Sequence, residues 1–222
     1  MILSDDRGNV LDYFDKFPEN TNIGIALSGG ADSTLLLFLF VSMIYERKAY
    51  DVKIYPIHGY DSSRANQIKT NSESWQQVLK IVEWIREWFS DKPNLDEILQ
   101  EPNIFSYKKN DTIKREYHKP HMDYMKKRYN IPFIVHGITL GMPSEQRPDE
   151  NLQLMPRNQN QPWFPLGTVD KQFVAYQYEY FGINELSKLT NSCIADAPLP
   201  CKECFWCRER YWAFKNYDGG LQ

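Results

Sequence analysis

The chain has 222 residues, 42% of them hydrophobic, and a formal net charge of −3. It can therefore bury a sizeable core, and it lacks the broad positive field that would draw a whole molecule onto nucleic acid. No apolar run approaches the roughly 18 residues of a membrane span, and the start Met1-Ile2-Leu3-Ser4-Asp5-Asp6 lacks the basic-then-apolar order of a secretory signal, so a cytoplasmic protein is expected.

In chain order, Val10, Leu11, Phe14 and Phe17 fall at near-helical spacing within a polar segment that ends at residue 21, which predicts a short leading helix. Ile23-Gly24-Ile25-Ala26-Leu27 is a short apolar run closed by glycines, as in a buried strand. Asp32 to Tyr45 then reads as a helix that is apolar almost all round. A second run, Val52 to His58, follows a link too long for a hairpin, so the two strands are expected to be parallel. Between Ser74 and Phe89, residues Trp75, Val78, Leu79, Val82, Ile85 and Phe89 share one face of an amphipathic helix. A polar segment from Asp111 to Asn130, which Pro120 is expected to split, leads to a third strand, Ile131 to Gly137.

Gly141 to Pro165 is rich in Pro, Asn and Gln and predicts a long loop. After it, Thr168 can cap a helix from Val169 to Phe181, with Lys171 in its first turn and Gly182 at its exit. Strand and helix alternate, which predicts an α/β fold with helices on both faces of a parallel sheet. The expected division is a main domain over residues 1–185 and a C-terminal segment over 186–222.

The first chemical signal lies between the first strand and its helix. In Ser28-Gly29-Gly30-Ala31-Asp32-Ser33 the glycines permit a sharp turn and close approach to a ligand, while the start of the helix offers unpaired N–H groups and a partial positive charge. Ser28 and Ser33 add hydroxyl donors suited to phosphate oxygens. Asp32 would repel a bare phosphate, so it implies a Mg²⁺ ion between them. The bland alternative is a turn in which Ser28 or Asp32 merely caps the helix. The loop has neither the Gly-Lys-Ser/Thr ending of a Walker A motif nor the spaced glycines of a dinucleotide fingerprint. The string Ala26-Leu27-Ser28-Gly29-Gly30-Ala31-Asp32-Ser33 resembles instead the loop of N-type ATP pyrophosphatases, which cleave ATP between the α and β phosphates.

The second signal is Cys201-Lys202-Glu203-Cys204-Phe205-Trp206-Cys207, a double Cys-x-x-Cys, with Cys193 upstream. Four thiolates can close a tetrahedron around Zn²⁺ and leave no open position for water, which is a structural site. An iron–sulfur cluster or metal-free thiols are the alternatives.

Taken together, the two motifs resemble the 7-cyano-7-deazaguanine synthase family. The likeness runs through the loop at Ser28 to Ser33, the strand ending at Gly137, Pro165-Leu166 with Lys171, Leu189-Thr190-Asn191-Ser192-Cys193, and Cys201 to Cys207 with Arg208-Glu209-Arg210 beyond. It implies a flavodoxin-like sheet of the adenine-nucleotide-hydrolase type, ATP and Mg²⁺, a four-cysteine zinc subdomain and a homodimer. It places Gly137 at the nucleotide and Lys171 within reach of a phosphate. The family activates a carboxylate on 7-carboxy-7-deazaguanine with ATP, adds ammonia, and then forms a nitrile. After the third strand, family members carry Asn, Asp and a Tyr-Pro-Asp-Cys-Arg string, whereas this chain reads Gly137-Ile138-Thr139-Leu140-Gly141-Met142-Pro143-Ser144-Glu145. Arg147-Pro148-Asp149 holds similar residues in another order. The substrate is therefore a carboxylate or amide that is either deazaguanine-like or altered.

The competing expectations are a tRNA sulfur-transfer enzyme built on the same loop and a non-catalytic nucleotide-binding module. His58 and His136, at the ends of expected strands, are candidates for substrate contact or for a structural role. The aromatic residues Phe205, Trp206, Tyr211, Trp212 and Phe214 are expected to pack around the metal or a partner subunit rather than to stack on nucleobases.

Overall fold

The computed structural model describes residues 1–15, 17, 21–61, 68–107, 119–132, 134–143, 164–193 and 200–217. The N-terminal segment is a hairpin, not the expected helix: β1 (Leu3–Ser4) pairs antiparallel with β2 (Val10–Leu11), with Leu3 opposite Leu11. The reason is local. Asp5 accepts hydrogen bonds from the backbone N–H groups of Arg7 and Asn9, at 3.1 and 2.9 Å, and such side-chain bonds offer the backbone an alternative to a helical turn. Leu11, Phe14 and Phe17 still reach the core, where Phe14 and Phe17 each meet Phe40 edge-on with ring centroids 5.1 Å apart.

β3 (Ile23–Ala26) leads into α1 (Ala31–Arg47), followed by β4 (Ile54–Asp61) and α2 (Ile68–Trp88). After the short α3 (Leu95–Ile98) come β5 (Asn103–Tyr107), α4 (Lys119–Tyr129) and β6 (Ile134–His136). The four strands β3 to β6 pair in parallel in the order β5-β4-β3-β6. Sequence reasoning missed β5. It is an edge strand that follows Pro102, and its accessible Ile104 gives no buried apolar run to read. Pro120 stands at the start of α4, and the part of its segment before that helix, residues 111–118, lies outside the described residues. Pro120 occupies the second position of α4, where a missing N–H costs nothing.

Period-two alternation sorts the sheet residues onto two faces. Ile23, Ile25, Ile54 and Val135 join the large core that also holds the apolar residues of α1 and α2. Tyr55, Ile57 and Ile134 face the other way and pack with Met125 of α4 and with Ile131. Leu35, Leu36, Leu37, Leu39, Phe40 and Val41 are all fully buried, so α1 is covered on every side, which explains its lack of a polar stripe. Each such side chain contributes about 1.5–3 kcal/mol by leaving water.

α5 (Lys171–Tyr180) packs on α1, and α6 (Asn184–Lys188) follows it. α7 (Phe205–Phe214) lies along α5, so the C-terminal segment rests directly on the main core. Asp170, not Thr168, caps α5, accepting a bond from the Phe173 N–H at 2.9 Å. Asp170 is itself gripped by Arg7 of the hairpin at 2.7 and 2.8 Å, which fixes the cap one residue before Lys171. No helix among the described residues is long and apolar enough to cross a membrane. Most of the expected loop from Gly141 to Pro165, including Arg147, Pro148 and Asp149, lies outside the described residues.

Candidate functional site

β3 ends at Ala26, and buried Leu27 extends its pairing by donating to the Ile57 carbonyl at 2.8 Å. The chain then turns through Ser28, Gly29 and Gly30. Gly29 has φ +84°, a value that strongly favours glycine. Gly30 is the N-cap of α1, extended and with no side-chain capping bond, so no neighbouring side chain caps the first turn of the helix. The two serines shape the turn from inside. Ser33 Oγ donates to the Gly30 carbonyl at 3.1 Å, and Ser28 Oγ lies 3.0 Å from Ser33 Oγ and accepts from the Gly30 N–H at 3.3 Å. Ala31 begins the helix, and its carbonyl accepts from the buried Tyr178 hydroxyl at 2.9 Å.

The loop sits where the order of the sheet reverses. From β3 the chain runs outward through β4 to β5, then returns to place β6 on the other side of β3. In open α/β sheets such a switch point, beyond the carboxyl ends of its two strands, is where a crevice forms. Gly137, just after β6, closes that arrangement. A Cβ there would lie 2.3 Å from the Ser33 nitrogen and 2.5 Å from the Asp32 carbonyl carbon, so only glycine lets the two backbones meet.

Asp32 projects from the first turn of α1, and the structure brings it to Lys171: Nζ lies 2.5 Å from Asp32 Oδ2. A lysine in a first helical turn ordinarily reads as a solvated residue, yet Lys171 is 6% exposed. Glu209 of α7 also faces it, placing Oε2 3.7 Å from the same ammonium while Oε1 accepts from the Met142 N–H at 3.2 Å. The other Asp32 oxygen, Oδ1, is buried without a hydrogen-bond partner. A carboxylate oxygen left bare in this way costs stability unless something fills it. Residue spacing did not single out Glu209. The only available signal was a run of charges inside an aromatic helix, at Arg208-Glu209-Arg210.

The cysteines converge as expected. The four Sγ atoms of Cys193, Cys201, Cys204 and Cys207 all lie within 4.8 Å of one another, with no disulfide among them. Cys201 and Cys207 are separated by 3.9 Å, close to the ~3.8 Å edge of a tetrahedron with Zn–S bonds of about 2.3 Å. Backbone N–H groups point at the sulfurs: Cys201 to Cys193 and Cys204 to Cys201 at 3.3 Å, and Cys207 to Cys204 at 3.4 Å. Bonds from the Cys204 and Glu203 backbones pull the Cys201 thiol down to about 6, whereas burial pushes the Cys207 thiol up. The donor set fits a four-coordinate metal, and Cys204 doubles as the N-cap of α7.

The cluster is joined to the loop at both ends. Two residues before Cys193, the Asn191 N–H donates to the Gly29 carbonyl at 2.9 Å; two residues after Cys207 stands Glu209. Next to Glu209, Arg210 is 1% exposed. It donates to Thr190 Oγ1 at 2.7 Å and to the Ser187 carbonyl at 3.0 Å, and its guanidinium sits 3.9 Å over the Phe214 ring.

The histidines separate. β4 continues to Asp61, so His58 lies inside the strand rather than at its end. It is buried, its Nδ1–H donates to the Leu27 carbonyl at 2.9 Å, and burial holds it below the usual histidine range. It therefore supports the backbone just before the loop. His136 does end β6 and lies 5.9 Å from the Phe164 ring. In the aromatic run, Phe205 is buried and Phe214 packs edge-on to Tyr178 of α5, while Trp206 and Tyr211 remain accessible.

Neither a scan against protein-family models nor a search of curated proteins finds a match to this chain. What the residues and their geometry define is an α/β protein with a four-stranded parallel sheet, a glycine turn at its switch point, and a four-cysteine cluster able to hold a metal ion such as zinc.

Proposed function

We propose that this chain is an ATP-dependent, AMP-forming carbon–nitrogen ligase resembling 7-cyano-7-deazaguanine synthase, with a flavodoxin-like nucleotide domain and a structural zinc subdomain. One observation carries the reading. At the uncapped start of α1, Asp32 keeps a buried carboxylate oxygen without a partner, beside the Lys171 ammonium. This combination suits a magnesium-bound polyphosphate. The first-turn N–H groups attract phosphate oxygens, Lys171 offers a cation to them, and the bare Asp32 oxygen offers a ligand to the metal. Magnesium, when bound, neutralises charge on the leaving pyrophosphate.

A carboxylate oxygen is a poor leaving group, and transfer of adenylate onto it lets it depart as AMP when ammonia attacks. In this chain, Gly29 and Gly30 bring the backbone close to the phosphates, the Ser28–Ser33 bonds hold the turn in shape, and Lys171 stabilises developing negative charge. The chain departs from the family's base-binding string after Gly137, which leaves the acid or amide open within that chemistry. The sulfur-transfer alternative needs a free nucleophilic thiol. All four cysteines of the sequence stand in one cluster, so none remains for that role. A homodimer and a cytoplasmic setting belong to the same proposal.

The test is release of AMP and pyrophosphate from ATP and Mg²⁺ with ammonium and a panel of carboxylates that includes 7-carboxy-7-deazaguanine. Turnover is expected with at least one acid, and Asp32→Ala should reduce it by about 100-fold or more. ATP binding without AMP release across the panel would leave only a nucleotide-binding module. An absence of affinity for ATP with Mg²⁺ would remove the nucleotide reading altogether.

A further inference from the structure

We propose that Glu209 is a positioning residue that holds the Lys171 ammonium at the phosphate loop once Asp32 is taken up by a cation; the proposal rests on the nucleotide reading above. Lys171 is gripped by two carboxylates from different elements, Asp32 on α1 and Glu209 on α7. They are not equivalent. Asp32 spends one oxygen on Lys171 and keeps the other bare, so it is the carboxylate available to a cation. Glu209 has one oxygen tied to the Met142 N–H and the other facing Lys171, so it is already fixed.

A divalent cation on Asp32 would repel the adjacent ammonium, and a four-carbon stem is free to swing away. The charge of Glu209 opposes that motion. At 3.7 Å it is too far for a strong hydrogen bond, so it acts on Lys171 through charge and leaves the ammonium free to donate to a phosphate. The helix that carries Glu209 cannot easily turn. Cys204 caps its start, and the neighbouring Arg210 is pinned to Thr190 and Ser187. A misplaced charge at a reacting phosphate is costly, and small displacements lose large rate factors.

Glu209→Gln tests this, because the amide oxygen can still accept from the Met142 N–H while the negative charge facing Lys171 is lost. The first readout needs no nucleotide: acylation of lysines by an amine-reactive reagent in the zinc-loaded protein with excess Mg²⁺ to occupy Asp32, quantified by peptide mass spectrometry. Lys171 is expected to be protected in the parent and to react several-fold faster in E209Q, while exposed Lys92 and Lys188 react equally in both and melting temperature and zinc content stay at parent values. The second readout is the Kd for ATP with Mg²⁺, expected to rise roughly tenfold in E209Q and to show no further rise when E209Q is added to Lys171→Met. Unchanged Lys171 reactivity, or an equal effect of E209Q with and without Lys171, overturns the proposal. If E209Q loses zinc or melts early, Glu209→Asp replaces it. The shortened carboxylate should also unmask Lys171, and parental protection there overturns the proposal. A parent chain without ATP affinity overturns the role in positioning, and the labelling result separates that failure of the nucleotide reading from a failure of the brace itself.

Discussion

Gly137 marks the closest approach in the site: its Cα sits against the backbone of Asp32 and Ser33, where a methyl group would lie 2.3 Å from an amide nitrogen. The obstacle is main chain, which has no rotamer to give way. Gly137→Ala is therefore expected to destabilise the protein by about 2–3 kcal/mol, through overpacking and a displaced start of α1. A lowered urea midpoint at unchanged denaturant slope would establish this, and a midpoint equal to the parent's would refute it. At this scale the turn at Ser28 to Ser33 was legible, because paired glycines between a strand and a helix mark a sharp change of chain direction. Lys171 was only half legible. Its position in a first turn was clear, but its carboxylate partners lie on α1 and α7, far away in the chain.

Among the elements, the N-terminal hairpin and the start of α5 act as one unit through Arg7. Burial raises the Asp5 and Asp170 carboxyls, but hydrogen bonds outweigh it, from Asn9 and Arg7 to Asp5 and from Arg7 and the Phe173 N–H to Asp170. Both end below their ordinary value of 3.8. A carboxyl depressed in the folded state contributes stability that is present above its unfolded value and lost as pH falls through the folded one. Arg7→Met should therefore lower the urea midpoint at neutral pH, and the gap to the parent should narrow as pH falls below about 4. A gap independent of pH would exclude the ionic contribution. Strongly patterned elements were readable: β3, α1, β4 and α5 lie within three residues of their expected bounds, α2 starts at Ile68, six residues before the expected Ser74, and β6 is the central part, Ile134–His136, of the expected strand. Those misread were short or were decided by single hydrogen bonds. The leading helix gave way to Asp5 and its turn, Thr168 lost the cap to Asp170, and the edge strand β5 offered no buried run.

For the molecule as a whole, the cysteine cluster ties the C-terminal segment to the turn at Ser28 to Ser33. Asn191 bonds the loop before the first cysteine of the cluster, and Glu209 reaches Lys171 after the last. Purified protein should carry about one zinc per chain, and stripping it with a chelator should lower the melting temperature by at least about 5 °C and increase the amine reactivity of Lys171. Bound iron with visible absorbance would replace zinc with a cluster. A metal-free protein that melts at the same temperature after chelation would end the metal reading.

By itself, the sequence determined the alternation of strands and helices, the turn at Ser28 to Ser33, and the set of cysteines that gathers into one cluster. Each of these is written in contiguous residues, through periodicity, glycine content or short spacing. Only the tertiary structure decided that Asp32, Lys171 and Glu209 form one buried charge cluster and that the cysteine segment braces the loop. Those contacts join residues far apart in the chain, and their burial depends on how α5 and α7 pack, which no local pattern encodes.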